Sequence, residues 1–293
     1  MGWLAIPAVV VVLMAFGTVA VSRHYRVPQV PHRRTPESLG IGFEEIRFPT
    51  AANRTLYGWW IPAAAAAENS APTLVLVHGW SRNVERVLPF IRVLQSAGYR
   101  LLAFDARGHG SSDADSSPNM LKFSQDIRAA IDEAERRGAD PSRLGVLGLS
   151  VGGAASIHAA ANDRRIGAVV TVGAFANPRD LMRGELQAKG LPAFLIPAVL
   201  AYAEHAIGER LDVIAPENQI PRISAPVLLV HGLDDAIIPA ENGRRLAAAG
   251  GREVRLLELP GRGHSNCNYD PLFWPEVTRH LESALGGGAE AID

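Results

Sequence analysis

Leu144-Gly145-Val146-Leu147-Gly148-Leu149-Ser150-Val151-Gly152-Gly153 is the stretch whose reading decides the fold. Its first half is an apolar run of the length and composition of a buried strand. A small-residue segment, 154–161, follows it and has the composition of a helix. Gly148-Leu149-Ser150-Val151-Gly152, a Gly-x-Ser-x-Gly pentapeptide, stands between the two. A sharp strand-to-helix turn strains the backbone of its central residue and brings neighbouring segments close. Glycines at the flanking positions leave room for that approach, and Gly153 lets the helix pack. The serine oxygen then projects above the sheet edge at a helix N-terminus, where developing negative charge is favoured. Ser150 is therefore a candidate nucleophile.

Working outward, short apolar runs recur at 74–77, 101–104, 168–171, 227–230 and 254–257, with two further strand patterns at 43–49 and 56–61. Most are continuous rather than alternating, as strands buried on both faces require. The first two strands predict an antiparallel pair. Helical patterns lie between the later ones. The clearest places Phe123, Ile127, Ile131 and Ala134 on one face and Lys122, Arg128, Asp132 and Glu135 on the others. Such alternation implies βαβ units and a mainly parallel sheet with helices on both faces. Ligands then bind at the carboxyl ends of the strands. His78-Gly79-Trp80, the 105–110 loop, Ser150 and Asp235 all follow apolar runs. One segment, 176–224, interrupts the alternation. Its apolar middle, 191–207, predicts a helical cap over the site; the plainer alternative is a pair of packed surface helices.

A serine hydroxyl needs an adjacent base to act at neutral pH. Of nine histidines, His264 is the best placed, in Gly261-Arg262-Gly263-His264-Ser265 after the last strand. His78 and His231 each end a strand before a glycine, which suits a backbone hydrogen bond beside the site. His109 falls in a turn, and His158, His205 and His280 on helical patterns. His24 and His32 belong to the segment flanking the apolar N-terminus. A carboxylate must also orient the base, and the 231–239 stretch offers two, Asp234 and Asp235.

The elbow, the 105–110 loop and the 231–239 stretch together resemble the α/β-hydrolase superfamily over residues 43–285. The branch concerned is that of serine-aminopeptidase-like and esterase- or lipase-like members, some of which carry an N-terminal membrane anchor. The chain order Ser…Asp…His is the order of that superfamily. The resemblance implies an α/β-hydrolase fold with a mainly parallel eight-stranded sheet, helices on both faces and a helical cap insertion. It places the acid three residues after Gly232 and four before Pro239, at Asp235. It implies an oxyanion hole built from the backbone N–H groups of Val151 and Trp80. Arg107 reads as a structural tie between loops. The implied chemistry is two-step acyl transfer on a small-molecule ester or acyl substrate, with no metal and no organic cofactor. A peptidase or amidase of the same fold is the second enzyme reading. A membrane-tethered, non-catalytic binding protein is the rival from another class, and the intact serine, aspartate and histidine argue against it.

Lys+Arg 29 against Asp+Glu 30 leaves a formal net charge of −1, which gives no electrostatic reason to expect a nucleic-acid partner. The single cysteine, Cys267, excludes an intrachain disulfide. Residues 3–22 carry no charge, and as a helix they would span roughly 30 Å, the thickness of a bilayer's hydrocarbon core. A single-pass anchor is the preferred reading; a cleaved signal peptide, with secretion of the domain, and a buried helix are the alternatives. No Lys or Arg precedes the run, whereas Arg23, Arg26, Arg33 and Arg34 follow it. The positive-inside rule then puts the catalytic domain in the cytoplasm. The expected organisation is a membrane segment at 1–22, a proline-containing linker at 23–40, the hydrolase domain at 41–285 with its cap at about 176–224, and a flexible tail at 286–293.

Overall fold

The computed structural model describes residues 27–64, 71–115 and 117–286. Its strands are β1 Glu44–Thr50, β2 Arg54–Ile61, β3 Thr73–Val77, β4 Arg100–Phe104, β5 Leu144–Leu149, β6 Ile166–Val172, β7 Val227–Gly232 and β8 Val254–Leu259. They form one eight-stranded sheet in the order β1-β2-β4-β3-β5-β6-β7-β8. β1 pairs antiparallel with β2, and β2 antiparallel with β4; every other pairing is parallel. The helices are α1 Leu88–Ser96, α2 Met120–Arg136, α3 Val151–Asn162, α4 Pro178–Ala188, α5 Ile196–Ile207, α6 Leu211–Ile214, α7 Pro216–Gln219, α8 Glu241–Ala249 and α9 Phe273–Leu285. This is the α/β-hydrolase fold implied by the sequence.

Both sheet faces are covered, which explains the unbroken apolar runs. Along β3, Leu74 and Leu76 pack into one core with Phe90 and Leu94 of α1 and Phe273, Val277 and Leu281 of α9. Val75 and Val77 point the other way, into the core built by Phe123, Ile127 and Ile131 of α2 and Ile157 of α3. Each such fully buried side chain contributes about 1.5–3 kcal/mol. The cores fix the sheet, and the sheet fixes where the carboxyl ends of its strands meet.

Arg107 ties loops together, as its sequence context suggests. It is almost fully buried and donates through Nε to Asp126 Oδ1 at 2.8 Å and through Nη2 to the same oxygen at 2.6 Å, while its backbone N–H donates to Asp126 Oδ2 at 2.9 Å. Thr50 of β1 hydrogen-bonds the same carboxylate at 2.8 Å. Removing the acid strands a buried guanidinium. Asp126→Ala is expected to lower stability by about 3–5 kcal/mol, read from chemical denaturation; a change under about 1 kcal/mol would contradict this role.

Between β6 and β7 lie α4 to α7, where the sequence predicts a helical insertion. Arg179 holds the segment together through Asp212 Oδ1 at 2.9 Å and through Glu204. Arg245 of α8 fastens it to the body through Glu217 at 2.7 Å. Ile196 and Leu200 of α5 are buried, whereas Phe194 and Val213 stand in solvent.

Residues 27–40, the proline-containing linker of the sequence reading, are tied to the domain along their length. Gln29 Nε2 donates to Ser112 O at 2.6 Å, Asn83 Nδ2 donates to Val30 O at 3.0 Å, and Arg34 Nε pairs with Glu85 Oε1 at 2.9 Å. His32, assigned from sequence to the flank of the apolar segment, stacks on Tyr57 with ring centres 4.9 Å apart. Its Nε2 lies 2.8 Å from Asp105 Oδ2. The physical reason is Asp105, a carboxylate with no solvent exposure, which must be paired or saturated with donors. A 3-10 turn, Pro36–Leu39, then leads into β1. The apolar segment 3–22 lies outside the described residues, as does the tail from 287. Among the described residues no helix is long and apolar enough to cross a membrane.

Candidate active site

Ser150 sits at the turn from β5 into α3 with φ 56 and ψ −121, a backbone conformation that costs a non-glycine residue about 1–3 kcal/mol. The packing around it over-determines that conformation. A Cβ on Gly148 would fall 2.3 Å from Gly152 O, and one on Gly152 2.5 Å from His78 O. No side chain larger than hydrogen fits at either position. The Ser150 backbone N–H donates to Val172 O at 2.8 Å, locking the turn to β6. Val151 is the first residue of α3, so helix geometry leaves its N–H without an intrahelical acceptor.

His264 and Asp235 come together from the loops after β8 and β7. His264 Nδ1 lies 2.7 Å from Asp235 Oδ2. A carboxylate can only accept, so Nδ1 carries a proton, and in the neutral ring the lone pair is then on Nε2. Asp235 Oδ1 accepts from the N–H groups of Ile237 at 2.9 Å and Ile238 at 2.8 Å. Burial pushes the Asp235 carboxyl up, but the bonds from His264 and these two amides outweigh it and hold the group below its ordinary value. Asp234 is exposed. His264 and Ser150 face one cavity of about 200 Å3.

The loop after β3 brings Trp80 alongside. His78 is fully buried; its Nδ1 lies 2.7 Å from Gly79 O and its Nε2 accepts from Ala106 N–H at 3.0 Å. Burial holds its pKa below the ordinary value. A Cβ on Gly79 would stand 3.3 Å from Ser150 Cβ, so the backbone leading into Trp80 runs directly past the serine. The indole packs beside Phe123 and His109 and lines the cavity. His231 makes the backbone bond its position suggests, with Nε2 2.8 Å from Ile238 O.

Four contributors escaped the sequence reading. Gly173, just past β6 with φ +66, has no room for a side chain, because a Cβ would meet His264 Nδ1 at 3.1 Å and Asp235 Oδ2 at 3.4 Å. Its signal was available: a glycine at the carboxyl end of a strand. Arg82 and Arg86 line the cavity, as does Cys267. Burial, with the charge of Asp235 adding to it, pushes the Cys267 thiol up to about 11, so it stays protonated at neutral pH. No residue between 178 and 222 lines the cavity.

Residues 68–201 match the family model described as serine aminopeptidase, S33. The chain is 36% identical to a protein of Escherichia coli named only by its mass, 31.7 kDa, and its place in the traX-finO intergenic region; the match takes in 68% of this chain and 84% of that one. It is 28% identical to the YfhR protein of Salmonella typhimurium over 94% of this chain and 93% of that one. Among solved structures, an esterase of Pyrococcus furiosus superposes with a TM-score of 0.69 at 24% identity, covering 89% of this chain and 98% of the esterase. A puromycin-hydrolyzing peptidase of Mycobacterium tuberculosis gives a TM-score of 0.69 at 21% identity, covering 86% of this chain and 41% of that one. With this sheet order, this turn and these relatives, the chain belongs to the α/β-hydrolase superfamily.

Proposed function

We propose that the protein is a serine hydrolase that cleaves carboxylic esters through an acyl-enzyme. The observation that carries the reading is the strained Ser150 facing one cavity with a histidine whose Nδ1 is held by Asp235 at 2.7 Å. Ser150 Oγ attacks the ester carbonyl as its proton passes to His264 Nε2. The oxyanion is received by the N–H groups of Val151 and Trp80. His264 returns the proton to the departing alcohol as the C–O bond breaks. Water then adds to the acyl-enzyme, giving its proton to His264, and the acid leaves as Ser150 regains a proton.

A peptidase reading draws on the serine-aminopeptidase family match and on the peptidase among the structural neighbours. An aminopeptidase needs an anionic group for the substrate ammonium, and among the described residues no acidic one lines this cavity. The ester reading is therefore preferred. The uncharged run at 3–22, followed by Arg23 and Arg26, supports a single-pass anchor with the catalytic domain on the cytoplasmic side. The helices between β6 and β7, read from the sequence as a cap over the site, contribute no residue to the cavity lining.

The test is fluorophosphonate labelling of membrane and soluble fractions, run beside turnover of p-nitrophenyl esters from acetate to decanoate. A labelled band in the carbonate-washed membranes, with ester turnover, is the expected result. Folded protein that takes no label would overturn the serine mechanism. Label in the soluble fraction alone would overturn the anchor, and labelling with peptide but not ester turnover would favour the peptidase.

A further inference from the structure

The 82–86 turn forms part of the cavity wall, and its charge is unbalanced. Arg82 and Arg86 both line the cavity that holds Ser150, and among the described residues no acidic one does. Among the described residues neither arginine forms an ion pair. Arg86 Nη2 donates to the carbonyl of Ser265 at 2.9 Å, beside the base. The acid on the same turn, Glu85, is occupied elsewhere: Arg34 Nε holds its Oε1 at 2.9 Å and the Arg33 N–H holds its Oε2 at 3.0 Å. The segment before β1 thus engages both oxygens of that carboxylate.

Arg86 is half-buried, and a guanidinium partly withdrawn from water is best met by an anion, as the fully buried Arg107 is by Asp126. Arg86 has a carbonyl instead. Burial and then the charge of Arg82 both hold its pKa below the ordinary value. An oxyanion between the two would relieve the repulsion and supply paired, charge-assisted acceptors.

We propose that Arg82 and Arg86 form an anion subsite, and that the substrates of this site are esters carrying a carboxylate or phosphate group away from the scissile carbonyl. The proposal rests on the serine-hydrolase reading above and deepens it. The apolar part of the cavity, Trp80, Phe90, Leu149 and Val172, accommodates the carbon skeleton between the anion and the ester.

Matched ester pairs test it on the full chain. p-Nitrophenyl hydrogen glutarate against p-nitrophenyl valerate places the charge on the acyl side. 4-Acetoxyphenyl phosphate against 4-methylphenyl acetate places a phosphate on the leaving-group side. In at least one pair the anionic ester is expected to have the higher kcat/KM by about tenfold or more, falling as salt rises. Arg82→Gln and Arg86→Gln are each expected to reduce that ratio about tenfold, chiefly through KM, and Arg82→Lys to retain part of it. Arg82 is exposed, so its variants separate the anion effect from any disturbance of the Ser265 contact. Equal or greater preference for the neutral ester in both pairs overturns the subsite, as does a preference that survives both glutamine variants. If fluorophosphonate labels the protein in those same preparations, the subsite has failed alone; if it does not, the serine reading has failed with it.

Discussion

Ser150→Ala is expected to lower kcat on esters by about 10^4–10^6-fold while leaving KM within about threefold. The hydroxyl is the only group the substitution removes. Nothing else in the cavity replaces it, because the Cys267 thiol is pushed up to about 11 and stays protonated. The residual rate is what binding and the two oxyanion amides provide on their own. The backbone strain at φ 56 is unchanged, since alanine suffers it as serine does, so thermal unfolding should match that of the wild type. Steady-state turnover with intact-mass detection of an acyl adduct decides it. Retention of more than about a hundredth of the wild-type rate, in protein free of wild-type contamination, would remove Ser150 from the nucleophile's role.

Asp235→Asn carries the second large effect, a fall in kcat of about 10^4-fold. The reason lies in donor and acceptor order. Oδ1 of residue 235 accepts from the Ile237 and Ile238 amides, so an asparagine must keep its oxygen there. Its NH2 group then faces His264 Nδ1, which now has to accept. The ring proton moves to Nε2, and the nitrogen facing the serine can no longer take a proton. Asp234→Asn, on the exposed neighbour, should cost less than about threefold. Should the two variants behave in the opposite way, Asp234 would be the acid.

Ser150, His264 and the eight strands were legible because each rests on local pattern: an apolar run, a glycine pair, a histidine in a glycine-rich loop. Asp235 was not separable from Asp234 by pattern alone. The structure distinguishes them through two backbone amides that only a buried carboxylate at 235 can reach. Gly173, Arg82 and Arg86 were overlooked because their meaning is a contact with another part of the chain, His264 and Asp235 for the first and the cavity for the others. The contact of His32 with Asp105 was overlooked for a similar reason. Three prolines and few apolar residues describe a linker well, and nothing local announces that a buried Asp105, 73 residues further on, requires a partner.

That pairing has a mechanical side. Asp105 Oδ2 holds His32, and its Oδ1 accepts from the Val84 N–H at 2.7 Å. Asn83, next to it, grips the carbonyl of Val30. One carboxylate and one amide side chain therefore join the entry of the chain to the loop that carries Trp80 and the cavity arginines. Tension applied ahead of Val27 would not be absorbed by slack. It would pass to Ser112 through Gln29 and to the turn after Trp80 through Val30 and His32, so that a tug on the leading end of the polypeptide is felt at the wall of the Ser150 cavity.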